Sequence, residues 1–248
     1  MATMSEKIAV FVEGDTELIF VRELLCRWYC YDSTKLGFRC IRLRASDVDD
    51  GYPTPYAFGD DTAAHFYEIV NVGNDNSVLS KAIKNAPRYR NLGYSKIITL
   101  RDMYCDNYHS LTRRTIMPEV NRRFIEGSKN TIREKGFENF IFNNFAIMEV
   151  EAWFLGMPLF LEGIDERLTS GYLRETLGFD CDADPETCIY HPAKELGLIF
   201  NHVGSNYDKH HTEVHSIMSE LVRDDFEWLA ISGKCESFAR FIGHLTSA

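Results

Sequence analysis

Three places in this 248-residue chain set carboxylates just past short apolar runs. Residues 8–12 (IAVFV) end at Glu13-Gly14, and Glu17 follows four positions after Glu13. Residues 96–100 (KIITL) run into Arg101-Asp102, with Asp106 four positions further on. In residues 147–155 (IMEVEAWFL), Glu149 and Glu151 stand two apart among apolar neighbours. A single acid after a strand is an ordinary turn residue, and Asp15-Thr16 reads as a helix N-cap. Six carboxylates that converge would repel one another strongly unless cations sat among them. Hard oxygen ligands in that number suit Mg²⁺ or Mn²⁺ rather than zinc.

The elements that must position these residues alternate in kind. Residues 8–12, 38–43, 65–72, 96–100 and 140–142 read as strands, and the spacing predicts helices from Asp15, over 76–86 up to Pro87, and over 111–136 with a break or first turn at Pro118. Residues 47–61, rich in Gly, Pro and Asp, read as a long loop. Strand–helix alternation predicts an α/β fold with a mainly parallel sheet flanked by helices. From about residue 156 the pattern becomes helical, which predicts a C-terminal extension over 156–248 packed on a domain formed by 1–155. In open parallel sheets ligands bind beyond the carboxyl ends of the strands, the positions of Glu13 and Asp102.

Composition narrows the functional classes. A hydrophobic fraction of 45% excludes a disordered chain. No apolar run approaches the roughly 18 residues that a membrane span needs, and no signal core precedes the first strand, so a cytoplasmic protein without membrane contact is expected. Seven scattered cysteines without CxxC pairs read as reduced thiols. The net charge of −10 is uneven: residues 1–80 carry −6, residues 81–135 carry +8, and residues 136–248 carry −12. The basic middle suits a polyanion, or equally the solvated faces of amphipathic helices. His211 and His215 stand four apart but lack the zincin arrangement, and read as one face of a surface helix.

Residues 8–17 (IAVFVEGDTE) resemble the first motif of the Toprim domain in the form found in overcoming-lysogenization-defect nucleases. Residues 97–106 (IITLRDMYCD) resemble the second motif, with Asp102-x-x-x-Asp106 in place of the usual Asp-x-Asp. Residues 148–154 (MEVEAWF) resemble the later acidic segment of a bacterial Toprim-like family, and Tyr207-Asp208-Lys209 matches the C-terminal lysine of the related nucleases. The resemblance implies a Toprim-like domain over 1–155 and metal-dependent hydrolysis of phosphodiesters in DNA or RNA. Glu13, Glu17, Asp102, Asp106, Glu149 and Glu151 would be its metal ligands. Glu13 would ligate an ion or act as general acid/base, Asp102 would bridge, and Lys209 would stabilise transition-state charge. It further implies antiphage defence with an ATPase partner protein, since the chain has no Walker A string of its own. Two alternatives stand beside the nuclease: a non-catalytic Toprim-fold interaction module, which the altered Asp spacing favours, and a small-molecule phosphohydrolase using the same metals.

Overall fold

The apolar runs enter one sheet. The computed structural model describes residues 5–43, 49–51, 57–73 and 77–246. Its strands are β1 (Glu6–Val12), β2 (Leu36–Leu43), β3 (Asp49–Gly51), β4 (Ala57–Phe58), β5 (His65–Asn71), β6 (Lys96–Asp102) and β7 (Ile141–Ala146). Six of them lie in the order β3-β2-β5-β1-β6-β7, and β4 pairs with β2. β1 is parallel to both β5 and β6, placing Val10 between Ile69 and Ile98, and β2 is parallel to β5, whereas β3 and β4 run antiparallel to β2. β1 is buried from Ile8 to Val12, as expected of a parallel strand covered on both faces.

The chain divides into two compact units, Met1–Arg101 with Arg122–Phe145, and Asp102–Asn121 with Ala146–Ala248. In the first, Ala9, Phe11, Val70 and Ile97 form one apolar cluster with Ala82 and Ala86 of α2 (Val78–Asn91) and Ile132 of α4 (Pro118–Glu134). Side chains alternate along a strand, so Ile8, Val10 and Val12 face the other side, where α1 (Asp15–Trp28) packs on β2 and β5. Beneath α2 a buried carboxylate, Glu68, accepts hydrogen bonds from Tyr89 Oη, from Tyr94 Oη (3.2 Å) and from Arg39 Nε (2.6 Å). Burial, with the Glu68 charge beside them, pushes both phenols above their ordinary pKa.

Three expectations are amended. α2 does not stop near Pro87 but continues to Asn91. Proline removes only one helical donor, and the extra turn places Tyr89 in the core on Glu68. Of the helical pattern expected over 111–136, the part after the break at Pro118 is α4, and the part before it belongs to a separate helix that starts earlier, α3 (Asp106–Thr112). Arg113 and Arg114, at φ 49° and 65°, end α3, and Pro118 opens α4, where a missing N–H costs nothing. Within the loop expected over 47–61, residues 49–51 and 57–58 form β3 and β4, while 47–48 and 52–56 lie outside the described residues.

The second unit is helical: α3, α5 (Glu151–Gly156), α6 (Phe160–Ile164), α7 (Ser170–Tyr172) running into a π-helical turn (Leu173–Leu177), α8 (Pro185–Cys188), α9 (Pro192–Asn201), α10 (His211–Glu220), α11 (Arg223–Ile231) and α12 (Glu236–Thr246). Trp153 of α5 is its buried centre, packed on Phe238 and Phe241 of α12 at ring separations of 5.3 and 5.5 Å. Gly156 lets α5 approach Cys235, since a Cβ there would lie 2.9 Å from its Sγ. The seven cysteines are unpaired thiols, with Cys30 and Cys188 exposed. Among the described residues no helix is long and apolar enough to cross a membrane.

Trp153 Nε1 donates to Glu186 Oε1 (2.9 Å) and reaches Ser237 Oγ (3.0 Å), while Ser237 donates from both N and Oγ to the same carboxyl group. Burial raises Glu186 from its ordinary 4.5 to about 7, against the pull of these donors. The folded chain therefore keeps a proton that the unfolded chain releases near pH 4.5. This contribution to stability is complete below that pH, declines as pH rises to about 7, and is flat above, for a total on the order of 3 kcal/mol. Glu186→Gln, which does not titrate, should gain stability relative to wild type between pH 4.5 and 7 and hold the gain above. Thermal melts at half-unit pH steps check this; a pH-independent difference between the two proteins would contradict it.

Candidate metal centre

Two carboxylates two residues apart point away from each other on a regular helix. Glu149 and Glu151 converge because only Glu151 is helical, opening α5, while Glu149 sits in the tight turn before it. That turn is centred on Met148, a fully buried non-glycine residue at φ 66°, and is closed by Glu149 N–H donating to the Ile147 carbonyl (3.1 Å). A three-residue turn at positive φ is a strained conformation. It is held from outside by Tyr104 N–H, which donates to the Met148 carbonyl (2.8 Å). Asp102 arrives as the last residue of β6, and Lys209 comes from the segment between α9 and α10, itself at φ 60°.

The three acids share one pattern. Each has one oxygen held by a neutral donor: Asp102 Oδ1 by Val150 N–H (3.0 Å), Glu149 Oε2 by Ala193 N–H (2.9 Å), and Glu151 Oε1 by the Tyr207 hydroxyl (2.7 Å). The second oxygen of each faces Lys209 Nζ, at 3.8 Å for Asp102 Oδ2, 3.0 Å for Glu149 Oε1 and 3.1 Å for Glu151 Oε2. The three can present ligand atoms within 4.8 Å of one another. Glu151 is wholly buried, and its Oε2 is close to the ammonium without an aligned hydrogen bond. Burial opposes the charge on Lys209, but Glu151, Asp102 and Glu149 outweigh it and hold its pKa above the ordinary lysine value. One ammonium against three carboxylates leaves a formal charge of −2, which a divalent cation would cancel. The buried Oε2 and an all-oxygen donor set fit a hard cation such as Mg²⁺ or Mn²⁺.

The other acids marked by the sequence lie elsewhere. Asp106 is the exposed first residue of α3 and is not in this group. Glu13 and Glu17 belong to the first unit. Glu13 is half-buried beyond β1, and Glu17, buried in the first turn of α1, accepts the Gly14 N–H (2.8 Å) as a helix cap. Asp15 is held by Asn71 Nδ2 (2.6 Å) and Arg42. The backbone donors of Val150 and Ala193, and the supporting hydroxyl of Tyr207, were not marked as site groups by the sequence. Main-chain donors carry no sequence signature, and Tyr207 only neighbours the lysine that the motif marked.

No family model, curated protein or solved structure matches this chain.

Lys209 is the electrostatic keystone of the cluster. Lys209→Met should destabilise the protein by about 1–3 kcal/mol, less than for a fully buried pair because the lysine is a third exposed. At roughly 2–4 °C per kcal/mol for a chain of this size, the melting temperature falls by several degrees at pH 7. Melting curves of the two proteins at pH 7 test this; an unchanged or raised melting temperature in Lys209→Met would contradict it.

Proposed function

We propose that this protein is a divalent-cation-dependent phosphodiester hydrolase acting on nucleic acid, with Asp102, Glu149 and Glu151 as the ligands of Mg²⁺ or Mn²⁺. The observation that carries the reading is the set of three carboxylate oxygens turned to one point, each fixed from behind by a neutral donor. When bound, the cation supplies electrophilic neutralisation of phosphate oxygens and a water nucleophile at neutral pH. The chain's own groups do the positioning. Val150 N–H, Ala193 N–H and Tyr207 Oη fix the carboxylate planes, and the strained turn at Met148 sets Glu149 opposite Glu151. Lys209, a third exposed, can turn its ammonium from the carboxylates toward an incoming phosphate and offset charge that develops there. The mainly parallel sheet and the strand ends at Glu13 and Asp102 support a Toprim-like classification, as do the motifs that contain them.

Calorimetry with Mn²⁺ tests the ligand set. Asp102→Asn/Glu151→Gln should lose at least about a hundredfold in affinity while keeping its circular dichroism, because relieving like-charge repulsion costs little fold. Cleavage of a single-stranded oligonucleotide in Mg²⁺ should disappear in the same variant. Unchanged Mn²⁺ affinity would remove the proposal. Glu13→Gln, measured alongside, tests the role that the motif gives Glu13.

One observation favours a second reading, the non-catalytic module: Lys209 already serves as counter-ion to all three acids. Under that reading Mn²⁺ does not bind the wild-type chain.

The basic residues offer a further check. Arg113, Arg114, Arg122 and Arg123 are exposed. If they hold phosphates, oligonucleotide affinity in Ca²⁺ should fall with salt at a log–log slope of about −0.7 per neutralised phosphate, and charge reversal at the four should flatten it. A slope unchanged by the reversal would assign these arginines to solvent alone.

A further inference from the structure

The segment that leads into the first turn of α9, where Ala193 buttresses Glu149, also walls a cavity. Tyr190 and His191 line a space of about 520 Å³ with Phe179, Ile189, Lys194 and Leu198. Two residues beyond His191, Ala193 N–H holds Glu149 Oε2, so the cavity wall and the carboxylate cluster share one backbone segment. A second link comes from Tyr104, two residues after Asp102. Its ring packs against His191 at 4.9 Å and Tyr190 at 5.8 Å, both nearly edge-on, and its N–H anchors the Met148 turn. Tyr190 is fixed in turn by Thr112 Oγ1 (3.1 Å) and His109 Nδ1 (3.3 Å). Rigid, half-exposed rings beside an oxygen-rich centre suit a flat ligand. Asp180 and Glu195 stand with the one lysine in the wall, an unfavourable balance for a phosphate but not for an uncharged aromatic ring with exocyclic donors. The volume lies within the range of ligand pockets.

We propose that this cavity is the base-binding pocket of the same centre, receiving a nucleobase whose phosphate group lies at Asp102, Glu149 and Glu151. The inference rests on the hydrolase reading and narrows its substrate to a nucleotide unit with an unpaired base, from a single strand or from a free nucleotide. The base enters against Tyr190 and His191, and Leu198, half exposed on α9, closes the apolar side.

The test uses the full chain in Ca²⁺ and compares ligands with and without bases: a single-stranded DNA of about 12 nucleotides against an abasic strand of equal length, and adenosine 5′-monophosphate against ribose 5-phosphate. Base-bearing ligand should bind about tenfold or more tightly than its abasic counterpart, the usual scale for one base stacked on aromatic rings. A ratio confined to the strand pair identifies a polynucleotide as the source, and one also present in the mononucleotide pair identifies a free nucleotide. Leu198→Trp, which fills the cavity from its exposed side, should bring the ratio toward one. Ratios near one in both pairs, with Ca²⁺ still bound, would overturn this inference and leave the hydrolase standing, and a ratio undiminished in Leu198→Trp would overturn the location. Failure of Ca²⁺ to bind wild type would overturn the hydrolase reading and this inference together.

Discussion

Asp102, Glu149 and Glu151 bring like charges into a largely buried corner of the second unit, where each pair would repel by about 4 kcal/mol at an effective dielectric of 20. One ammonium at comparable distances supplies three attractions against three repulsions, which leaves desolvation uncompensated. The neutral donors make up that difference, since hydrogen bonds to a charged carboxylate contribute about 1.5–3 kcal/mol each. Lys209, Val150 N–H, Ala193 N–H and Tyr207 are thus conditions for the cluster to exist in the folded chain. The remaining formal charge of −2 gives the cluster its capacity for a divalent cation.

Part of the backbone strain in the second unit lies at the cluster. Of the unit's non-glycine residues at positive φ, Arg113, Arg114, Met148, Lys209 and Cys235, two belong to the cluster segments, Met148 and Lys209. Such conformations cost about 1–3 kcal/mol each and persist only where the surroundings over-determine them. Here the surroundings are the apolar packing of Trp153 on Phe238 and Phe241, the close approach allowed by Gly156, and the Glu186–Ser237–Trp153 hydrogen bonds that tie α5 to α8 and α12. The first unit follows the same economy of polar burial. Glu68 is covered by Tyr89, Tyr94 and Arg39, so the sheet carries a buried acid without an unsatisfied oxygen.

Much of the fold follows from local sequence. The short apolar runs at 8–12 and 96–100 are the strands β1 and β6, because a parallel strand buried on both faces must be apolar at nearly every position, whereas β2 exposes Arg39 and Arg42 and β5 buries Glu68. Where local rules failed, tertiary contacts outweighed them. α2 runs through Pro87, where Tyr89 has a buried partner in Glu68, whereas the break expected at Pro118 is where α4 begins.

For the candidate site, the sequence by itself determined the types of its groups and some of their places: Asp102 at the end of a strand, Glu149 and Glu151 two apart in an apolar stretch, and a lysine in the C-terminal part. It could not decide which acids meet. Glu13, Glu17 and Asp106 carry the same local signature as Asp102, yet Glu17 is used as a cap and Asp106 faces solvent. The tertiary structure decided that Lys209, 60 residues from Glu149, supplies the cation, and that the backbone at Ala193 holds Glu149 from behind. The physical reason is range. Strand and helix formation depend on residues a few positions apart, whereas a cluster of charges is selected by the long-range packing that can offset the repulsion and desolvation it creates.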